Sequence, residues 1–260
     1  HMLSKVETIT RSLELLHKAR EEAGDTVYGR RIDKIVAYTK RLNEIRDRMT
    51  QKRKNVPSTR ALPRQPDDLT LDGKLDDKFW KQTRTPRMRE IQTGNRPAFA
   101  TRFHIAWARN GALCIGVRCE EPDMENLAIG ATKGNDPGIW MGDFIDVLVE
   151  TQIHCYYQIT FNPAGAIMDL DRGPAKKMNF DWDSNAEVAV NKGEDFWSAE
   201  IRLPCAGPMA EEIDPLQGIA GRVPTTTYPW YINVCRQRVR GEHVELSAWS
   251  PTGTGRFNVP

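Results

Sequence analysis

The run Gly134-Asn135-Asp136-Pro137-Gly138-Ile139-Trp140-Met141-Gly142-Asp143-Phe144-Ile145-Asp146-Val147-Leu148-Val149-Glu150 decides the fold. Asn-Asp-Pro-Gly supplies the positive-φ and fixed-φ positions that a tight reversal needs. A β-strand follows, because Ile145, Val147 and Val149 alternate with Phe144, Asp146, Leu148 and Glu150. Trp140 stands at the mouth of that strand, with Asp143 and Asp146 close behind. Two readings are open. A flat apolar ring beside carboxylates can stack on the C–H face of a pyranose while the acids accept its hydroxyl protons. Alternatively Trp140 plugs the end of a β-sandwich and Asp143 caps a turn.

Outward from this run the same alternation recurs. Phe103, Ile105 and Trp107 face one side, with Arg102, His104 and Ala106 on the other, and the strand Ala112 to Glu120 follows the turn Asn110-Gly111, a strong hairpin signal. Further strands are expected at Cys155–Asn162, Gly165–Leu170, Ala186–Asn191 and Phe196–Leu203. Trp230–Arg238 and His243–Trp249 should pair across Arg240-Gly241. Short strands, turn residues between them and almost no helix imply a mainly β fold, an antiparallel β-sandwich of jelly-roll type.

The N-terminal quarter has a different period. Val6, Ile9, Leu13, Leu16 and Ala19 or Arg20 recur at helical steps, and Gly24-Asp25 ends that helix and starts the next. The second helix, Val27 to about Lys54, carries the stripe Tyr28, Ile32, Ile35, Leu42, Ile45 and Met49. Residues 1–54 therefore read as a helical hairpin, the tail of an upstream domain. Residues 55–70, with Pro57, Pro63 and Pro66, read as a linker, and 71–260 as the sandwich.

The 260 residues, 39% hydrophobic with seven Trp, provide for a substantial core. No run is long enough for a membrane span. His1-Met2 reads as a cloning scar on a piece of a longer protein. The net charge of +2 hides an asymmetry: 15 Lys+Arg stand against 8 Asp+Glu through Arg60, so that segment is +7 and the rest −5. Its positive residues are interleaved with acids as on a solvated helix, so neither nucleic acid nor membrane is the expected partner. The five cysteines show no CxxC pair and no zinc spacing, and read as small core residues.

The strands, in their order, resemble the family 9 carbohydrate-binding modules. Leu71-Asp72-Gly73-Lys74-Leu75-Asp76-Asp77-Lys78-Phe79-Trp80 looks like that family's opening element, and the series runs through Trp140-Met141-Gly142-Asp143-Phe144-Ile145-Asp146, Tyr157-Gln158-Ile159-Thr160-Phe161-Asn162 and Trp197–Pro204 to Trp249-Ser250-Pro251. It spans about three quarters of the chain, Leu71 to Pro260. The resemblance implies a non-catalytic module that binds oligo- or polysaccharide between two tryptophans, with structural calcium as the only cofactor in view. By resemblance Trp140 is the first clamp residue and Asp146 the acidic ligand. Asn233 is the strand amide, and His243 falls near a position that can be Arg. Asp143 and Arg236 complete the candidate set. The second clamp tryptophan is missing: the chain reads Gly253-Thr254-Gly255-Arg256-Phe257, leaving Tyr228, Tyr156 or Trp182 as replacements. The helical segment resembles the C-terminal section of large bacterial glycosidase-like proteins, which implies a secreted or periplasmic polysaccharide-processing parent and an upstream domain as partner.

Other chemistry has weaker signals. Glu120, Glu121 and Asp123 could pair as general acid and base, but Pro122 ends the strand and a solvated loop is the expectation. Asp169, Asp171, Asp181 and Asp183 have the alternating oxygen pattern of a calcium site. A related sandwich binds haem through Met and His or Lys, which casts Met141 or Met168 with His104. A structural interaction module that binds no sugar is the other alternative.

Overall fold

The computed structural model describes residues 6–37, 56–154, 156–173, 178–205, 214 and 216–257. The chain divides into two units, His1–Pro57 and Ser58–Pro260.

In the first unit, helix α1 (Val6–Ala23) is followed by a second helix, α2, over residues 27–37. Gly24 ends α1 with φ 55°. The cap of α2 is Thr26 rather than Asp25: its Oγ1 accepts from Gly29 N at 3.2 Å and donates to the Ala23 carbonyl at 2.8 Å. The hairpin is tied by Arg20, whose Nε lies 2.6 Å from Asp33 Oδ1. Leu13 is buried, whereas Tyr28 and Ile35 of the expected stripe are exposed. Leu42, Ile45 and Met49 lie outside the described residues.

The second unit is the sandwich. Its strands are β1 (Leu62–Arg64), β2 (Arg89–Glu90), β3 (Thr101–Ala108), β4 (Ala112–Glu120), β5 (Phe144–Glu150), β6 (Tyr157–Phe161), β7 (Ile167–Asp171), β8 (Glu187–Lys192), β9 (Phe196–Pro204), β10 (Tyr231–Arg240) and β11 (His243–Ala248). One sheet has the order β1-β3-β4-β9-β8 and the other β2-β11-β10-β5-β6-β7. All pairings are antiparallel except β1 with β3. Phe103, Ile105, Ile115, Val117, Ala199 and Ile201 from the first sheet meet Ile145, Val147, Val149, Ile159 and Val234 from the second in one buried cluster. The cysteines behave as expected: Cys114, Cys119, Cys205 and Cys235 are buried thiols, and Cys155 lies outside the described residues.

The stretch 55–70, expected to be a linker, contributes to the sandwich. β1 pairs in parallel with β3, and Arg64 donates to the carbonyls of Phe79 and Lys81. Pro63 is tolerated because an edge strand has one side free of ladder bonds. The opening element around Asp72-Gly73 acts as a clasp. Glu200, fully buried on β9, accepts from Asp72 N, Gly73 N and Trp80 Nε1 at 2.9, 2.8 and 2.7 Å. Gly73 has φ 82°, and a Cβ there would stand 2.6 Å from Asn191 N. Only glycine fits so tight a left-handed approach.

Candidate functional site

Strand β5 has the one inward face that its alternation predicts. Across the outer face of the six-stranded sheet, Ala248, Cys235, Asp146, Thr160 and Met168 form one cross-strand row. Asp146 is at its centre. Its carboxylate accepts from Gln158 Nε2 at 3.0 Å and from the Thr160 hydroxyl, and Gln158 Oε1 accepts in turn from Arg172 Nε at 2.9 Å. Asp146 is only 2% exposed. Burial pushes its carboxyl up to about 6, against the Thr160 and Gln158 bonds and the Arg172 charge, which pull it down.

Trp140 does not begin the strand. It lies in a short 3-10 turn, Pro137–Met141, capped by Asp136, whose side chain accepts from Gly138 N at 2.8 Å. The turn crosses the segment 128–130 so closely that a Cβ on Gly130 would meet Gly138 O at 2.1 Å, and one on Gly142 the Ala128 carbonyl at 2.2 Å. Gln237 Nε2 donates to the carbonyls of Trp140 and Gly142, both at 2.9 Å. The Trp140 ring is half-buried against Ala131, Ile139, Ala166 and Met168, and its Nε1 donates to Thr160 Oγ1 at 3.2 Å. It is thus less exposed than a free rim residue.

On the β10–β11 side of Asp146 stands Phe257. It packs on the Ile91–Cys235–Ala248 cluster and meets Phe144 edge-on at 6.1 Å. Of the expected replacements for the second clamp ring, Trp182 and Tyr228 lie elsewhere, while Tyr156 borders the polar centre through Arg172. Trp182 is buried and stacked on Tyr157 at 4.5 Å, Tyr228 is exposed near Gln152, and Tyr156 lies 5.8 Å from the Arg172 guanidinium. Phe257 is the aromatic that sequence reasoning missed, although it follows Trp249-Ser250-Pro251 by a few residues, where the clamp ring is expected.

The other candidates separate. Asn233 shares the outer face with Asp146, but its amide is spent on a reciprocal pair with Ser250 N and O, both 3.0 Å. Asp143 is a latch: it accepts from Val239 N, Ala128 N and Arg240 Nη1 at 2.6, 3.1 and 2.6 Å. Arg236 points to the inner face with Arg238 and Arg240. All three bind Glu121, at 3.2, 2.7 and 2.7 Å. Glu121 is therefore not in a solvated loop but fully buried, its carboxylate engaged by the three arginines. Burial pushes the Glu121 carboxyl up, but the Arg238 and Asp123 bonds and the arginine charges outweigh it and hold it below the usual value. His243 is exposed beside Glu245. With Arg236, Arg238, Phe99 and Arg96 it lines a separate open cleft of about 260 Å³.

The topology separates Met168 from His104. Met168 lies on the outer face of the six-stranded sheet and His104 on the outer face of the other, where its Nδ1 meets Thr83 Oγ1 at 2.7 Å. The two flank opposite sides of the sandwich. Asp169 and Asp171 are engaged by Ser184 N and by His154, and Asp183 by Asn185 N. Among the described residues no group of three or more His, Cys, Asp or Glu side chains is placed to hold a metal.

The sandwich superposes on a solved "putative carbohydrate-binding protein" from Bacteroides uniformis with TM-score 0.54 and 13% identity, over 75% of this chain and 90% of that one. What the two share is the fold. Two structures of a family 9 carbohydrate-binding module from Caldicellulosiruptor kristjanssonii also align. The one in complex with glucose has TM-score 0.43 and 9% identity, over 72% of this chain and 85% of that one. The one in complex with cellotriose has TM-score 0.45 and 10% identity, over 77% and 98%. No protein-family model matches the chain, and no curated protein matches it by sequence.

Proposed function

We propose that the sandwich is a non-catalytic carbohydrate-binding module whose sugar stacks on Trp140 over the outer face of the six-stranded sheet. One observation carries the reading: Trp140 and Phe257 are half-buried rings on either side of a polar centre, Asp146, Thr160, Gln158 and Arg172. An aromatic face matches the C–H face of a pyranose, and half-buried Arg172 is the most exposed polar group of that centre. Stacking contributes about 0.5–1.5 kcal/mol beyond area burial, and hydroxyl bonds are largely offset by desolvation. The dissociation constant is expected on the order of 1 mM.

In this reading the module delivers a secreted polysaccharide-processing parent to its glycan, and the helical hairpin leads back to an upstream domain. Among the described residues no helix is long and apolar enough to cross a membrane. A second reading, a module that joins domains and binds no sugar, is favoured by the 2% exposure of Asp146 and the committed amide of Asn233. Calorimetric titration of wild type and Trp140→Ala with glucose and cellotriose decides between them. Binding lost in the variant, with a modest fall in melting temperature, supports the sugar site. No binding by the wild type supports the second reading. A stability loss of roughly 3–5 kcal/mol would instead make Trp140 a core residue. Hydrolysis of cellotriose to glucose and cellobiose would overturn the non-catalytic assignment.

A further inference from the structure

The backbone and the ring of Trp140 are held by different residues. Gln237 and Asp143 fix the turn that carries it, through the carbonyls of Trp140 and Gly142 and the amide of Val239. Both act there through backbone groups. The ring's one polar atom, Nε1, donates to Thr160 Oγ1. Thr160 stands opposite Asp146 in the β5–β6 register.

An ionised carboxylate only accepts. The proton of the Thr160 hydroxyl therefore points at Asp146, and its lone pairs are left facing the indole N–H. On its other oxygen Asp146 accepts from Gln158, whose carbonyl oxygen is occupied by Arg172. Every bond in the chain has one direction: Arg172 to Gln158 to Asp146, and Trp140 to Thr160 to Asp146. The strand on the far side contributes Cys235, whose thiol burial keeps neutral, so no second charge competes there. With both oxygens committed and 2% of its surface exposed, Asp146 has little left to offer a hydroxyl in solution.

We propose that Asp146 and Thr160 are positioning residues, which set the plane of the Trp140 indole for stacking, and that the Asp146 carboxylate does not itself bond the sugar. This rests on the sugar-binding reading above, and its test has a readout that needs no sugar. The indole N–H resonance of Trp140 is assigned by its disappearance in Trp140→Phe, and its solvent exchange is measured in the ligand-free protein. Thr160→Val keeps the shape and removes the acceptor. It is expected to shift that resonance, speed its exchange roughly tenfold and weaken cellotriose binding by a similar factor. Thr160→Ser, which keeps Oγ, is expected to restore all three. Any loss of binding in Asp146→Asn should come with a shifted indole resonance.

An unchanged resonance and exchange rate in Thr160→Val would overturn the relay. So would an Asp146→Asn variant that loses binding with the indole undisturbed, since Asp146 would then be a direct ligand. A wild type that binds no sugar refutes the function reading, while the indole exchange still decides whether the relay exists.

Discussion

Replacing Asp146 by asparagine should make the sandwich more stable at alkaline pH and leave it nearly unchanged in acid. The carboxyl titrates at about 6 in the folded protein, against an ordinary value of 3.8, because burial disfavours its charged form. The folded chain therefore holds this proton more tightly than the unfolded chain does. The stability contributed by protonated Asp146 is fully present below about pH 4 and is lost as pH rises through about 6. A displacement of about two pH units corresponds to about 3 kcal/mol at pH 8. The asparagine side chain cannot ionise, and it offers the same donor and acceptor as the protonated acid. Its Oδ1 accepts from Gln158, while its Nδ2 donates to Thr160 Oγ1, whose proton turns away. Urea unfolding of both proteins from pH 4 to pH 8 isolates the effect. Glu150 and Asp169, also pushed up by burial, and Glu121 titrate in both and cancel in the difference. The variant's advantage should grow from near zero at pH 4 to about 3 kcal/mol at pH 8, or about 6–12 °C in melting temperature. A difference that stays flat with pH would mean that Asp146 is not held in a desolvated site, and the buried row would lose its physical basis.

Two further variants test the frame around the site. Glu121→Gln leaves Arg236, Arg238 and Arg240 sharing a neutral partner in a buried site. A loss of about 3–5 kcal/mol in urea unfolding is expected, and a loss below about 1 kcal/mol would show that the arginines find solvent. Gly73→Ala forces a side chain onto φ 82° and a Cβ to 2.6 Å from the Asn191 backbone. It should cost about 2 kcal/mol or more, read as a fall in melting temperature, and an unchanged melt would show that the Asp72-Gly73 clasp is not structural.

The sandwich was legible because its strands alternate over five to ten residues and its hairpins carry Asn110-Gly111 and Arg240-Gly241, both with glycine at positive φ. The edge strand β1 was not, since Pro63 and Pro66 signal a linker and its pairing with β3 depends on residues some forty positions away. Glu121 was misread for a related reason. Pro122 locally ends the strand, while the arginines that bury Glu121 lie 115 or more residues later. A signal did exist. Arg236, Arg238 and Arg240 continue the inward period of Val234, so β10 carries charges where its pattern demands apolar residues. Such a break calls for buried acids, and Glu121 with Asp143 supplies them.

The same distinction between local and distant information accounts for the site. Trp140 and Asp146 were found because they share one short run, and the strand's alternation fixed the face of Asp146. That Asp146 would be closed off could not be read from β5, because the groups that close it come from β6: Gln158 and Thr160 reach it only through the β5–β6 register. Arg236 and Asn233 fail as a pair for a period-two reason. Three positions apart on β10, they must face opposite ways, so Asn233 joins Asp146 outside while Arg236 turns to Glu121 inside. Phe257 lies on neither strand, and its place depends on the segment that Asn233 pins through Ser250. Asn233 therefore bears on the outer face indirectly, by holding the segment that leads to the second ring. A phenyl face is smaller than an indole, so the two rings are unequal, and most of the stacking that a sugar can gain here falls to Trp140.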